Sequence, residues 1–316
     1  MNPSISVVIT TFEKPRLLEQ AIRSVLAQTA KPSEIIVVDD GSGNATRDAI
    51  HRFAGDGVTH IWQPNSGGPA APRNTGWRAA RGEWVAFLDD DDLWHPRKLE
   101  ACSDVLRRLT QTDILYHPLE TFAEDDPIGS RASRVVGGRE LPEDAHRCLL
   151  ETGFVPLPSS LLVRRTVLQS LGGFDVEPDL VAAEDLDFAI RASAAGYQFA
   201  FVPETLARYR VSGTHLSSAT RTVRFAPVLR RRYFAECSLA DCPDWLVRWL
   251  LSSNLRQLRL SELGRLLAEI RSTQSVIGTV RRVVRCYLPQ RMRAHLGFGL
   301  PKIATSAPRQ DGTRVA

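Results

Sequence analysis

Short apolar runs alternate with stretches of helical periodicity over the first hundred positions. Ile5-Ser-Val-Val-Ile9, Ile35-Ile-Val-Val38, Thr59 to Trp62 and Trp84-Val-Ala-Phe-Leu88 read as buried strands. Pro15 opens a helix in which Leu17, Leu18, Ala21, Ile22, Val25 and Leu26 recur at helical spacing. Ala45 to Phe53 and Arg73 to Ala80 predict shorter helices, and Pro96 to Leu109 another with proline at its start. Strands that alternate with helices in this way predict an α/β fold: a mostly parallel sheet with helices on both faces.

The rhythm stops between 117 and 158, where nine Pro and Gly residues from Pro118 to Pro158 predict a loop-rich excursion with one helix near Pro142 to Glu151. It resumes with a helix from Glu184 to Ala195, ended by Gly196, and short strands at Gln198 to Val202 and Leu206 to Tyr209. Beyond Ser218 the pattern is helical throughout, with Trp245, Trp249 and Leu250 on one helix and Leu263, Leu266, Leu267 and Ile270 on another. The predicted organisation is therefore an α/β domain over 1–218, a helical C-terminal region over 219–302 and a polar, flexible tail over 303–316.

Composition changes this picture only in part. A chain of 316 residues with 43% hydrophobic and 24% charged residues is not disordered, fibrous or a disulfide scaffold. Five Cys with no C-x-x-C pair argue against a zinc site and for a reducing compartment. No apolar run is long enough to cross a membrane, and the N-terminus lacks the basic and apolar regions of a signal peptide, so the expected location is cytoplasmic.

The net charge of +4 conceals an asymmetry: from Arg221 onward there are 18 Lys+Arg and 6 Asp+Glu, against 22 and 30 before it. Val276, Ile277, Val280, Val283, Val284, Tyr287 and Leu288 form a helical stripe, with Arg281, Arg282, Arg285, Arg291 and Arg293 off it or just beyond. Such a helix suits either peripheral contact with an anionic membrane surface or packing on the α/β domain.

Two acidic groups follow predicted parallel strands: Asp39-Asp40 after IIVV, and Asp89-Asp90-Asp91-Asp92 after VAFL. Ligands of open α/β sheets bind at those strand ends. Adjacent carboxylates repel one another unless a positive group sits among them, so a hard divalent cation is one reading and a solvated acidic turn before a helix the other. Gly41-Ser-Gly43-Asn-Ala-Thr46 approaches a dinucleotide fingerprint but lacks the third glycine and has two aspartates where a pyrophosphate would approach. The Gly-rich run Asn65 to Asn74 offers backbone amides and Arg73 to an anion, or simply makes a turn. Glu184-Asp185 opens a helix, as a carboxylate base or as acid satisfying the helix dipole, and Asp187 with Arg191 reads as a surface i,i+4 pair.

Together, SVVITTFEKPRLLEQAIRSVLAQT, EIIVVDDGS, NSGGPAAPRNTGWRAARGEWVAFLDDDDLWHPRKL and AAEDLDFAIRASAAGY resemble the family 2 glycosyltransferases of the GT-A fold, over about residues 3–218. The resemblance implies that Thr10, Phe12 and Asp40 line the nucleoside pocket of a sugar-nucleotide donor. Phe12 takes a place usually held by Tyr, and Glu13 one where Asn is common. Asp89-Asp90-Asp91 looks like the D-x-D element, with Asp91 on the divalent metal (Mg²⁺ or Mn²⁺) and Asp89 or Asp90 on ribose or metal. Arg73 would lie near the nucleotide or its diphosphate, Asp185 of the Glu184-Asp185 pair would be the base, and His215 would approach the metal.

The implied partners are a nucleotide-sugar donor, UDP-linked by analogy, and a glycan, lipid-linked or other hydroxyl acceptor; no nucleic acid is implied. A base on one face and a metal-bound leaving group on the other imply a single inverting displacement. The rival readings are a catalytically inactive sugar-nucleotide-binding or scaffold protein and a metal-dependent nucleotidyltransferase. The intact acidic elements oppose the first, and the first strand's Thr10-Thr11-Phe12-Glu13 opposes the second.

Overall fold

The computed structural model describes residues 3–123, 134–211, 224–256 and 260–273. A seven-stranded sheet forms its centre. It comprises β1 (Ile5–Thr11), β2 (Glu34–Asp39), β3 (Val58–Trp62) and β4 (Trp84–Asp89), then β6 (Ile114–Tyr116), β9 (Leu162–Arg164) and β10 (Phe199–Phe201). The order is β10-β6-β9-β4-β1-β2-β3, and every pairing is parallel except those of β9. The mostly parallel sheet expected from the sequence is present.

Helices α1 (Pro15–Leu26), α2 (Asn44–His51), α3 (Ala70–Ala79), α4 (Lys98–Arg108), α6 (Arg165–Leu171) and α7 (Glu184–Ala194) cover it. The period-two alternation of the strands divides the core. Val7, Ile9, Val37, Ala86 and Leu88 face Leu18 and Ile22 of α1 and Leu99 and Cys102 of α4. Val8, Ile36, Val38, Val85 and Phe87 face Trp77 of α3, Val167 of α6 and Phe188 of α7. Both faces being buried explains why these strands read as continuous apolar runs. Helix α3 begins at Ala70, ahead of the expected Arg73.

The stretch from 117 to 158 is more regular than its composition suggests. It carries β7 (Leu119–Ala123), β8 (Arg134–Val136) and α5 (Ala145–Thr152). With β5 (Leu93–Trp94) and β11 (Ala207–Val211), β7 and β8 form a second sheet ordered β5-β11-β7-β8. The strands are short, and β11 pairs with β7 and β5 from far along the chain, which no local pattern records.

The chain divides into compact units at 1–229 and 230–316, with α8 (Phe225–Tyr233) spanning the boundary. In the second unit α9 (Asp244–Arg256) packs on α10 (Leu260–Thr273), and Glu269 accepts from Leu239 N at 2.9 Å and pairs with Arg230. The basic stripe from Val276 to Leu288 lies outside the described residues. Among the described residues, no helix is long and apolar enough to cross a membrane.

Candidate active site

The C-terminal ends of β1, β2 and β4 converge. Thr10 pairs in register with Asp89, and Thr11 with Asp39. This brings Thr10, Phe12, Glu13, Asp40 and the run from Asp89 to Asp91 to one edge of the sheet.

Asp40 N donates to Thr11 O at 2.9 Å. The Asp40 carboxylate accepts from Gln63 Nε2 at 2.6 Å and from Ser66 N and Oγ at 2.9–3.2 Å, so it fastens the Gly-rich loop after β3. Gly41 lets that loop approach: its φ is +89°, and a Cβ there would lie 2.6 Å from Asn65 N. Glu13 N donates to Ser42 Oγ at 2.9 Å, and Glu13 Oε1 accepts from Gly43 N at 2.8 Å. Glu13 has φ 55°, a left-handed backbone that is uncommon for a residue other than glycine. Phe12 is 48% exposed, while its N–H donates to Asp90.

The four aspartates face different partners. Asp89 Oδ1 accepts from Arg73 Nη2 at 2.6 Å. Asp90 is buried; its Oδ2 accepts from Thr11 Oγ1 at 2.8 Å and its Oδ1 from Lys14 Nζ at 3.0 Å. Burial pushes its pKa up to about 6, against the pull of Lys14. Asp91 Oδ2 accepts from Lys14 Nζ at 2.6 Å. Asp92 is buried away from them and accepts from Arg210 N at 3.0 Å; burial and the Asp91 charge hold its carboxyl well above the ordinary range. Among the described residues no three His, Cys, Asp or Glu side chains surround a common metal position.

Arg73 joins this edge to α7. Its guanidinium is buried, and Nη1 donates to Glu184 Oε1 at 2.7 Å while Nη2 holds Asp89. Burial alone would lower its pKa, but Asp89 and Glu184 more than reverse that. Glu184 Oε2 is buried without a hydrogen-bond partner among the described residues. Asp185 is partly exposed; desolvation and then the Glu184 charge push its pKa up to about 7. A cleft of about 610 Å³ passes between Ser66–Ala71 and Asp175–Val181, with Glu184 and Arg224 on its wall.

Asp187 corrects the expectation of a surface pair. It is fully buried and accepts from Arg191 Nε at 2.7 Å, while Arg191 also donates to the Leu171 and Gly173 carbonyls. His215 lies outside the described residues.

Three contributors carry no motif in the sequence. Lys14 supplies the positive charge that adjacent carboxylates demand; the demand was readable, its supplier was not. Ser159 accepts from Asp89 N at 3.1 Å through Oγ, and its carbonyl accepts from Lys98 Nζ at 2.7 Å. Lys98 is fully buried beside the Trp94 ring, and loss of solvent pulls its pKa down to about 7.

Acidic groups at the carboxyl ends of parallel strands are thus tied through Arg73 to a carboxylate pair that opens a helix. Residues 6–172 match the glycosyl transferase family 2. The chain is 36% identical over 226 residues to the uncharacterized glycosyltransferase alr2836 of Nostoc sp., covering 69% of this chain and 68% of that one. It is 40% identical over 100 residues to the poly(ribitol-phosphate) beta-N-acetylglucosaminyltransferase TarP of Staphylococcus aureus, 30% of this chain and 31% of TarP. The fold is similar to S. aureus TarS 1-349 in complex with UDP-GlcNAc (TM-score 0.60, 19% identity, 92% of this chain and 83% of that one). It is also similar to the mannosyltransferase PcManGT of Pyrobaculum calidifontis in complex with GDP-Man and Mn²⁺ (TM-score 0.54, 18% identity, 94% and 84%). The chain belongs to glycosyl transferase family 2 and is a glycosyltransferase of the GT-A fold.

Proposed function

We propose that this glycosyltransferase moves a sugar from a UDP-linked donor to an acceptor hydroxyl in a single inverting displacement. One observation carries the reading: Arg73 ties Asp89, at the end of β4, to Glu184, beside Asp185. A donor-side acidic group and an acceptor-side carboxylate pair thereby share one rigid frame.

Asp185 is the base. Its pKa near 7 lets it be ionised at neutral pH and still accept a proton effectively from a hydroxyl. Glu184 raises that basicity by like-charge repulsion and is itself held by Arg73. Acceptors enter along the cleft that Glu184 lines. The exposed Phe12 ring offers a stacking face to the nucleoside base, and Thr10 and Asp40 frame the same end.

Asp91, with Asp89 or Asp90, would hold Mg²⁺ or Mn²⁺. The donor set fits, because Asp90 Oδ1 and Asp91 Oδ2 already converge on one positive centre, and hard-cation sites commonly pair one or two carboxylates with substrate phosphates. Such a cation neutralises the charge that develops on the departing diphosphate. Base and leaving group on opposite sides of the sugar give inversion.

Thermal shift across UDP-, GDP- and dTDP-sugars with Mn²⁺ tests the donor, since a bound ligand raises the melting temperature. Product analysis on the best of them tests the reaction. Release of the nucleoside diphosphate is expected; pyrophosphate would mark a nucleotidyltransferase, and no turnover an inactive binder.

A further inference from the structure

Lys14 stands between Glu13, with its left-handed backbone, and Pro15, which opens α1. Its Nζ is 3.0 Å from Asp90 Oδ1 and 2.6 Å from Asp91 Oδ2, so two neighbouring carboxylates of the β4 turn converge on one ammonium. Asp90 is fixed from behind, since its other oxygen accepts from Thr11 Oγ1 and Phe12 N. The Lys14 side chain is 42% exposed, whereas those of Asp90 and Asp91 are 7% and 16% exposed. The Lys14 side chain is therefore the more exposed partner, the Asp91 carboxylate reaches solvent only at its edge, and Asp90 is covered.

We propose that Lys14 is a built-in counter-ion that competes with the divalent cation for Asp90 and Asp91, so that the cation binds well only together with the donor diphosphate. The proposal rests on the metal-dependent reading above. Two positive centres cannot share the same pair of oxygens, so an entering cation must displace the ammonium. A cation arriving alone leaves Lys14 without an anionic partner. One arriving with a diphosphate brings new anionic oxygens close to the flexible four-carbon stem, and the displaced charge is compensated again. Cation and nucleotide then bind with positive coupling, which is reciprocal by linkage. In the absence of donor, Lys14 also prevents Asp90 and Asp91 from facing each other uncompensated.

The test is Mn²⁺ binding by electron paramagnetic resonance above neutral pH, with and without UDP, on wild type, Lys14→Met, Lys14→Arg and Lys31→Met. Lys31→Met removes the same charge from an exposed position elsewhere, where Lys31 donates to Leu26 O. Lys14→Met is expected to bind Mn²⁺ alone about tenfold or more tighter than wild type, the scale on which an adjacent charge shifts an ionic equilibrium. UDP should then enhance Mn²⁺ binding less than in wild type. Lys14→Arg and Lys31→Met should resemble wild type. If Lys14→Met loses its fold by circular dichroism, Lys14→Gln is read in its place. Unchanged or weaker Mn²⁺ binding by folded Lys14→Met, or by Lys14→Gln where it stands in, overturns the proposal and leaves the metal reading standing. Failure of wild type to bind Mn²⁺ even with UDP overturns both.

Discussion

Arg73 Nη1 and Glu184 Oε1 lie 2.7 Å apart although 111 residues separate them in sequence. The Arg73 side chain is 3% exposed and that of Glu184 5%, so the pair is closed to water and each charge depends on the other. Removing Arg73 strands Glu184 in the interior and also releases Asp89. Arg73→Met should cost about 3–5 kcal/mol, the usual penalty for leaving a buried charge unpaired. Urea unfolding of the variant against wild type measures it. Arg73→Lys should recover part of the loss, because an ammonium replaces the charge but not the two-pronged geometry.

Asp187 and Arg191 lock α7 to the end of α6, since Arg191 also bonds the Leu171 and Gly173 carbonyls. Asp187→Asn should lower stability by about 1–3 kcal/mol, the cost of weakening a buried charged hydrogen bond. Chemical denaturation is the check. UDP affinity, measured by calorimetry, should change little, because Asp187 does not reach the strand ends.

The pH dependence follows from Asp185. A base must be deprotonated to act, so transfer should rise with pH through about 7 and be lost below it. The stability sign is opposite. The folded carboxyl titrates above its unfolded value of about 3.9, so the folded protein binds more protons between about pH 4 and 7 and this group's contribution to stability falls as pH rises through that window. A rate–pH profile checks the first, and thermal melts of wild type and Asp185→Asn across that window check the second.

Gly41→Ala places a Cβ 2.6 Å from Asn65 N at a φ of +89°. The strain should cost about 1–3 kcal/mol. It should also weaken UDP binding, because the loop pushed away is the one that Asp40 holds through Ser66. Unfolding and UDP titrations together report both effects.

Much of this was legible in the sequence because parallel strands buried on both faces leave continuous apolar runs, and because carboxylates at strand ends are conspicuous. Pro15 and the amphipathic spacing placed α1, and Gly196 closed α7. What stayed hidden was set by distant partners. The strand β7 pairs with β11, remote in sequence, Arg73 bridges Asp89 and Glu184, which lie far apart along the chain, and Asp187 is covered by packing that its local i,i+4 pattern does not reveal. The two non-glycine residues with positive φ among the described residues, Glu13 and Ala182, flank the site, where local propensity is overruled by the surrounding structure.

The central claim is that Asp185 takes the proton while the donor side binds independently of it. The direct test is donor breakdown by Asp185→Asn with Mn²⁺, using whichever nucleotide sugar gives the largest thermal shift, alongside affinity for its nucleoside diphosphate. The account predicts breakdown slowed by about 10²–10⁴-fold with nucleotide affinity within a few-fold of wild type, since general-base catalysis is lost and donor contacts are kept. A near-normal rate, or a rate loss matched by an equal loss of nucleotide affinity, would contradict it.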